Sequence, residues 1–233
     1  MTRIAAAPLL AFCALVGACK ADAPAAQATP RPTLYLTTSL PLLFGDGFAL
    51  DAPRPAVVDA LEKTFVLTAI DRPSQLPDGA TLLSIQPRAL PPEELVALDD
   101  WVRRGGRLVL LADPMLEWPS ERPLGDKLRP PVMFDDTGLL IHWGLRLDAP
   151  DTRGLAYSQS DTDPIAMISP GVLVKTGEGC AVEEGGSIAK CKIGKGEVTV
   201  IADADWLNVE QVRAAGGDPR DNLRWIERLV ASE

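Results

Sequence analysis

Pro91-Pro92-Glu93-Glu94-Leu95-Val96-Ala97-Leu98-Asp99-Asp100-Trp101-Val102-Arg103-Arg104-Gly105-Gly106 runs directly into Arg107-Leu108-Val109-Leu110-Leu111-Ala112-Asp113-Pro114. Leu95, Leu98, Trp101 and Val102 share one helical face. Prolines and acids stand where a helix opens, and arginines followed by Gly105 stand where one closes. The second stretch is apolar at every position from Leu108 to Ala112. A strand apolar on both faces belongs in the middle of a parallel sheet. The pair therefore predicts an α/β domain in which helices cover both sides of the sheet.

Upstream, Thr33–Thr38 reads as a β-strand ending in a loop that contains Pro41, Gly45, Asp46 and Gly47. A helix fits Pro55–Lys63, with Pro55 in its first turn and Val57, Val58 and Leu61 on one side. Phe65–Ile70 and Thr81–Ile85 read as further strands bounded by Pro, Gly or Asp. Downstream, Met115–Trp143 is irregular and rich in proline and charge, with a helix predicted over Met133–Trp143. This segment follows the carboxyl end of a buried strand, where open α/β sheets bind their ligands, so Asp113–Trp143 is the candidate contact surface. The last third holds an apolar run Gly171–Val174, a hairpin about Gly185-Gly186, a strand within Gly194–Asp205, and an amphipathic helix over Pro219–Val230 that buries Leu223, Ile226, Leu229 and Val230. From Thr33 onward about 200 residues form one domain, enough for a single sizeable core.

The amino terminus reads differently. Residues 1–18 carry one charged side chain, Arg3, then the apolar run Ile4–Val16 and the small residues Gly17 and Ala18, which is the layout of a secretory signal. The apolar run is short for a permanent membrane span. Val16-Gly17-Ala18-Cys19 resembles the bacterial lipobox, which implies lipid modification of Cys19 and anchorage of the mature chain to a membrane of the cell envelope. Lys20 after the cysteine gives the outer membrane a slight preference. An ordinary signal cut near Ala21 or Ala26, leaving an unanchored periplasmic protein, is the alternative. Residues 19–32, mostly Ala, Pro, Gln and Thr, read as an extended tether.

With Arg3 lost by cleavage, 22 basic residues face 32 acidic ones, a net of −10. That balance argues against nucleic acid or anionic headgroups as partners, since both need a basic face. Cys180 and Cys191 stand opposite each other if the hairpin turns at Gly185-Gly186, and in a secreted chain the natural reading is a disulfide. A four-residue loop Glu184–Ser187 makes them the closer kind of antiparallel pair.

Asp113, Glu117, Asp203 and Asp205 form the most notable acidic set, because two buried strands are expected to end at Ala112 and Ala202. Such carboxylates suit Ca²⁺ chemistry. They are also routine turn and loop-amide partners, which is the preferred reading, and no metal site or cofactor is assigned. Trp118, with Arg122 and Arg129 near it, is either a contact surface or a cover for the core. The single histidine, His142, lies beside apolar residues with no nucleophile apparent in the sequence, and is expected to be structural.

The segment Trp101–Gly106 with the strand through Asp113-Pro114, and the later segment Gly194–Asn208 followed by Asp221-Asn222, resemble the amidotransferase-like domains of the GldG-type auxiliary components of ABC transporters. The resemblance implies a flavodoxin-like, mostly parallel sheet flanked by helices, to which this chain adds a C-terminal β-hairpin. It also implies an ABC-type transport system as partner. True glutamine amidotransferases present a nucleophilic cysteine on a strand-to-helix elbow, yet no Gly-x-Cys-x-Gly or Gly-x-Ser-x-Gly occurs here. The expected role is that of a non-catalytic, membrane-tethered accessory or binding protein. A hydrolase or cation-dependent enzyme built on the strand-end carboxylates is the competing class.

Overall fold

The computed structural model describes residues 30–45, 54–159 and 164–231. The signal, Cys19 and the tether up to residue 29 lie outside the described residues, as do Asp46 and Gly47. The unit Arg31–Glu233 is built on a seven-stranded sheet. Its elements are β1 (Thr33–Thr38), α1 (Ala56–Thr64), β2 (Val66–Ala69), β3 (Thr81–Ile85), α2 (Pro92–Arg103), β4 (Arg107–Leu111), α3 (Leu139–His142), β5 (Leu145–Asp148), β6 (Leu155–Gln159), β7 (Pro164–Ile168), β8 (Val172–Lys175), β9 (Cys180–Val182), β10 (Ile188–Ile193), β11 (Gly196–Ile201), α4 (Val209–Ala214) and α5 (Pro219–Ala231).

Across the main sheet the order is β2-β1-β3-β4-β11-β10-β9. The first five strands are parallel, and β10 and β9 extend the sheet in antiparallel fashion. Counted among the parallel strands alone, the order is 2-1-3-4-5, the flavodoxin-like arrangement. Its switch point lies between β1 and β3.

Alternation along the strands divides the core into two layers. Leu34, Leu36, Leu83, Ile85, Val109, Leu111 and Ile201 point to the layer closed by α1 and α5, where Trp206 and Trp225 meet with ring centroids 5.1 Å apart. Leu82, Leu108, Leu110, Val198 and Val200 point to the opposite layer, closed by α2 and α3. Strands buried on both faces are what the near-continuous apolar sequences of β3 and β4 required.

The cysteine pairing follows its expected register. Glu183 N–H donates to the Ile188 carbonyl at 2.8 Å and closes a four-residue loop, so Cys180 and Cys191 form a close antiparallel pair and are joined as a disulfide. Such a bridge fits an oxidising compartment. Among the described residues no helix is long and apolar enough to cross a membrane. Replacing both cysteines by alanine is expected to lower stability by about 2–3 kcal/mol, because the unfolded chain regains its loop freedom. Thermal melting with and without reductant checks this: an insensitive wild type would contradict it.

One expectation needs correction. The predicted helix Met133–Trp143 shrinks to α3, Leu139–His142. Gly138 at φ +97° precedes it, and Asp136 Oδ1 accepts from the Gly138 and Leu140 amides, so the chain before it is a capped turn and not a helix. Three strands were also unforeseen: β5 pairs with β8, and β6 with β7, in two small antiparallel sheets. The β6–β7 pair packs beside α5, where Asn222 Oδ1 accepts from Ala166 N–H and Asn222 Nδ2 donates to the carbonyls of Ala166 and Trp206.

Candidate functional site

Parallel strands that end at one level put their following residues side by side. Asp113 comes two residues after the end of β4, and Asp203 and Asp205 follow its neighbour β11. The structure brings these three together: all are fully buried, and one carboxylate oxygen from each lies within 4.8 Å of the others. Asp113 Oδ1 accepts from Met115 N–H at 2.8 Å and Oδ2 from Ala204 N–H at 2.9 Å. Asp203 Oδ1 accepts from Trp206 N–H at 3.2 Å and Oδ2 from Ile168 N–H at 2.7 Å. Asp205 Oδ2 accepts from Glu117 N–H at 2.6 Å. These bonds sew the loop after β4, the end of β7 and the end of β11 into one knot.

Charge is costly in that knot. Burial, with the neighbouring Asp113 and Asp205 charges, holds Asp203 well above the usual carboxylate range. Burial pushes Asp205 up to about 8, helped by the charges of Asp113 and Glu117. Asp113 is raised as well, chiefly by burial, against the pull of the Ala204, Met115 and Asp205 amides. Two mechanisms can neutralise such a cluster: retained protons or a bound cation.

Glu117 stays exposed and accepts from Ser169 Oγ at 2.7 Å. Trp118 is half-buried and packs against the core layer of α1 and α5. Arg122 pairs with Asp126 at 3.6 Å and its carbonyl accepts from Arg129. His142 turns to α2, 3.1 Å from Arg103 Nη2 and 3.5 Å from Asp99 Oδ2. It makes no contact with the acidic knot among the described residues.

Gln86 was not singled out by sequence. It follows β3 directly, adopts φ +42° and is fully buried. Non-glycine residues held at positive φ cluster at functional turns, and this is the kind of strand end where an elbow could present a nucleophile. Here the side chain is spent on the backbone. Its Oε1 accepts from Asp113 N–H at 2.8 Å, and its Nε2 donates to the carbonyls of Asp113 at 3.0 Å and Pro131 at 3.2 Å. Gln86 thus fastens both ends of the loop after β4. Gln86→Ala is expected to cost about 2–3 kcal/mol by orphaning those groups, and to admit protease between residues 113 and 134. Unchanged denaturation and cleavage would show the anchor to be dispensable.

That loop is braced at further points. Leu116 N–H donates to the Val132 carbonyl at 2.9 Å, Phe134 N–H to the Asp113 carbonyl at 2.6 Å, and Arg88 Nη2 to the Arg129 carbonyl at 2.8 Å. Held in this way it nevertheless leaves large apolar side chains in water: Leu124 is 81% exposed, Met133 59%, Leu128 55% and Val132 51%. At the same edge of the sheet, a crevice of about 460 Å³ opens beyond β1, β2 and β3, lined by Thr37, Thr38, Ala69, Ile70, Asp71 and Arg88 among others. It sits at the switch point, where doubly wound folds receive ligands.

Comparisons with known proteins give a family and a fold. The family model described as Domain of unknown function (DUF4350) matches residues 55–217. No curated protein matches the chain. Among solved structures, the exo-beta-1,4-mannosidase Op5Man5 from Opitutaceae bacterium strain TAV5 superposes with a TM-score of 0.55 at 14% identity, over 87% of this chain and 37% of that one. A beta-galactosidase from Rahnella sp. R3 gives 0.45 at 13% identity over 80% and 30%, respectively. The Cytoplasmic Protein STM3548 from Salmonella typhimurium gives 0.47 at 9% over 85% and 97%. The chain therefore spans about a third of the length of the first two enzymes, and at 14% identity the likeness to the mannosidase concerns the fold alone.

Proposed function

The chain belongs to the DUF4350 family of domains of unknown function, and from that premise we propose that it is a non-catalytic binding domain, held at the cell envelope through a lipid on Cys19, that uses the loop after β4 to engage a protein partner. One observation carries the reading. A loop fastened at both ends by Gln86 and braced by Arg88 and Arg129 keeps Leu124, Leu128, Val132 and Met133 in solvent. Exposed apolar groups on an ordered segment mark contact surfaces, because leaving them wet costs free energy that a partner recovers. The anchoring role of Gln86 at a strained strand end favours binding over acyl-transfer chemistry.

The GldG-like character of the segments around Trp101 and Gly194 supports an ABC-type transport system as the partner. On this reading Trp118 and Arg122 act as braces beneath the contact surface, and Asp113, Glu117, Asp203 and Asp205 hold its base. A small-molecule ligand in the crevice at the β1–β3 switch point is the second reading, favoured by that crevice's size and position.

The test is affinity capture from crosslinked envelopes with wild type and a Leu124→Ser, Leu128→Ser, Met133→Ser variant. The contact reading expects permease or ATPase subunits with the wild type. It expects their loss in the variant at an unchanged melting temperature, since all three side chains are exposed. Equal capture by both proteins would refute the assignment of this loop.

A further inference from the structure

The acidic knot holds more than its hydrogen bonds account for. Five of its six carboxylate oxygens accept a backbone N–H, whereas Asp205 Oδ1 is buried and has no hydrogen-bond partner. Asp205 itself is fully buried. A sequestered carboxylate oxygen left unpaired marks the place of a missing ligand. No lysine, arginine or histidine among the described residues pairs with any of the three acids. One carboxylate oxygen from each of the three residues lies within 4.8 Å of the others, close enough for a single ion to meet all three.

We propose that Asp113, Asp203 and Asp205 form a binding site for a divalent cation of the Ca²⁺ class. The donors are all hard carboxylate oxygens, which suit Ca²⁺ ahead of Zn²⁺. Asp113 and Asp203 keep lone pairs after accepting their amides, and Asp205 brings an oxygen with none of its capacity used. The ion would sit where the ends of β4 and β11 meet the segment Met115–Glu117, and so would clamp the base of the exposed loop. The site stands on its own geometry and does not depend on what that loop contacts.

The experiment uses the full chain stripped with EDTA. Melting is followed in EDTA and in millimolar CaCl₂ or MgCl₂, for the wild type and Asp205→Asn. Terbium is titrated in parallel, with emission sensitised by Trp206, the residue next to Asp205. CaCl₂ is expected to raise the wild-type melting temperature by about 5 °C or more, and Asp205→Asn to abolish the shift. Terbium emission should saturate and be displaced by Ca²⁺. If Asp205→Asn fails to fold, the wild-type terbium titration and its displacement decide the matter. Identical melting in EDTA and CaCl₂ without sensitised emission would overturn the proposal and leave protons as the neutralising species. A calcium shift that persists in Asp205→Asn would overturn it equally.

Discussion

Gly196→Ala is expected to destabilise the domain by about 4 kcal/mol, and in a marginal background to prevent folding. A Cβ at Gly196 would lie 2.0 Å from the Val102 carbonyl oxygen and 2.4 Å from that of Gly106. Both are backbone atoms of the turn from α2 into β4, so no side chain can swing away to make room. The same turn receives Lys195 N–H at the Arg103 carbonyl, 3.0 Å away, and Glu197 N–H at the Gly106 carbonyl, 3.2 Å away. Pushing β11 outward breaks that docking and the pairing of β11 with β4 beyond it. Gly125→Ala is the control: its Cβ meets nothing within 4 Å at φ +88°, so only backbone strain of about 1 kcal/mol is expected. Denaturant unfolding of both variants checks the contrast. Equal losses would mean that β11 is seated more loosely than its contacts indicate.

Raising the pH from 5 to 9 in the presence of chelator is expected to lower the melting temperature by about 10 °C. The groups concerned are Asp113, Asp203 and Asp205, with Glu117 facing them. Each of the three buried acids has a native value raised above the ordinary one, chiefly by burial, and Asp205 reaches about 8. The unfolded chain releases these protons near pH 4. Between about pH 4 and the raised native values the folded state therefore binds more protons than the unfolded state, and stability falls as pH rises. The contribution is fully present below the unfolded value and is lost as pH climbs through about 8 for Asp205. Asp203→Asn, which cannot ionise, should flatten the profile. A wild-type melting temperature that rises across this interval would show that the knot is not held by protons when metal is absent.

The sequence made some parts of this molecule legible because short-range rules governed them. Capping residues and spacing mark α2, and the uninterrupted apolar run of β4 marks a strand buried on both sides. The hairpin joining Cys180 to Cys191 is legible because Gly185 and Gly186 fix the turn and the turn fixes the register. The strands β5, β6 and β7 are only four or five residues long, so their partners are chosen by tertiary packing that no local pattern announces. The region Met133–Trp143 had helical apolar spacing, yet Gly138 and the Asp136 cap delay the helix until Leu139.

The candidate site divides in the same way. Acids at strand ends can be listed from sequence, but the meeting of Asp113 with Asp203 and Asp205 depends on β4 and β11 being neighbours, which is a property of strand order. Gln86 gave no signal, because its role arises from a left-handed backbone and from carbonyls 27 and 45 residues away. The exposure of Leu124, Leu128, Val132 and Met133 was equally hidden, since apolar residues in a loop are as readily buried as not.

The most direct test of the contact surface is photocrosslinking in intact cells, with a photoreactive residue placed singly at Leu124, Leu128 or Met133 and, as a control, at Val96, an exposed apolar position on α2. The account predicts one discrete crosslinked partner from the three loop positions and none from Val96. No adduct from the loop, or the same adducts from Val96, would contradict it.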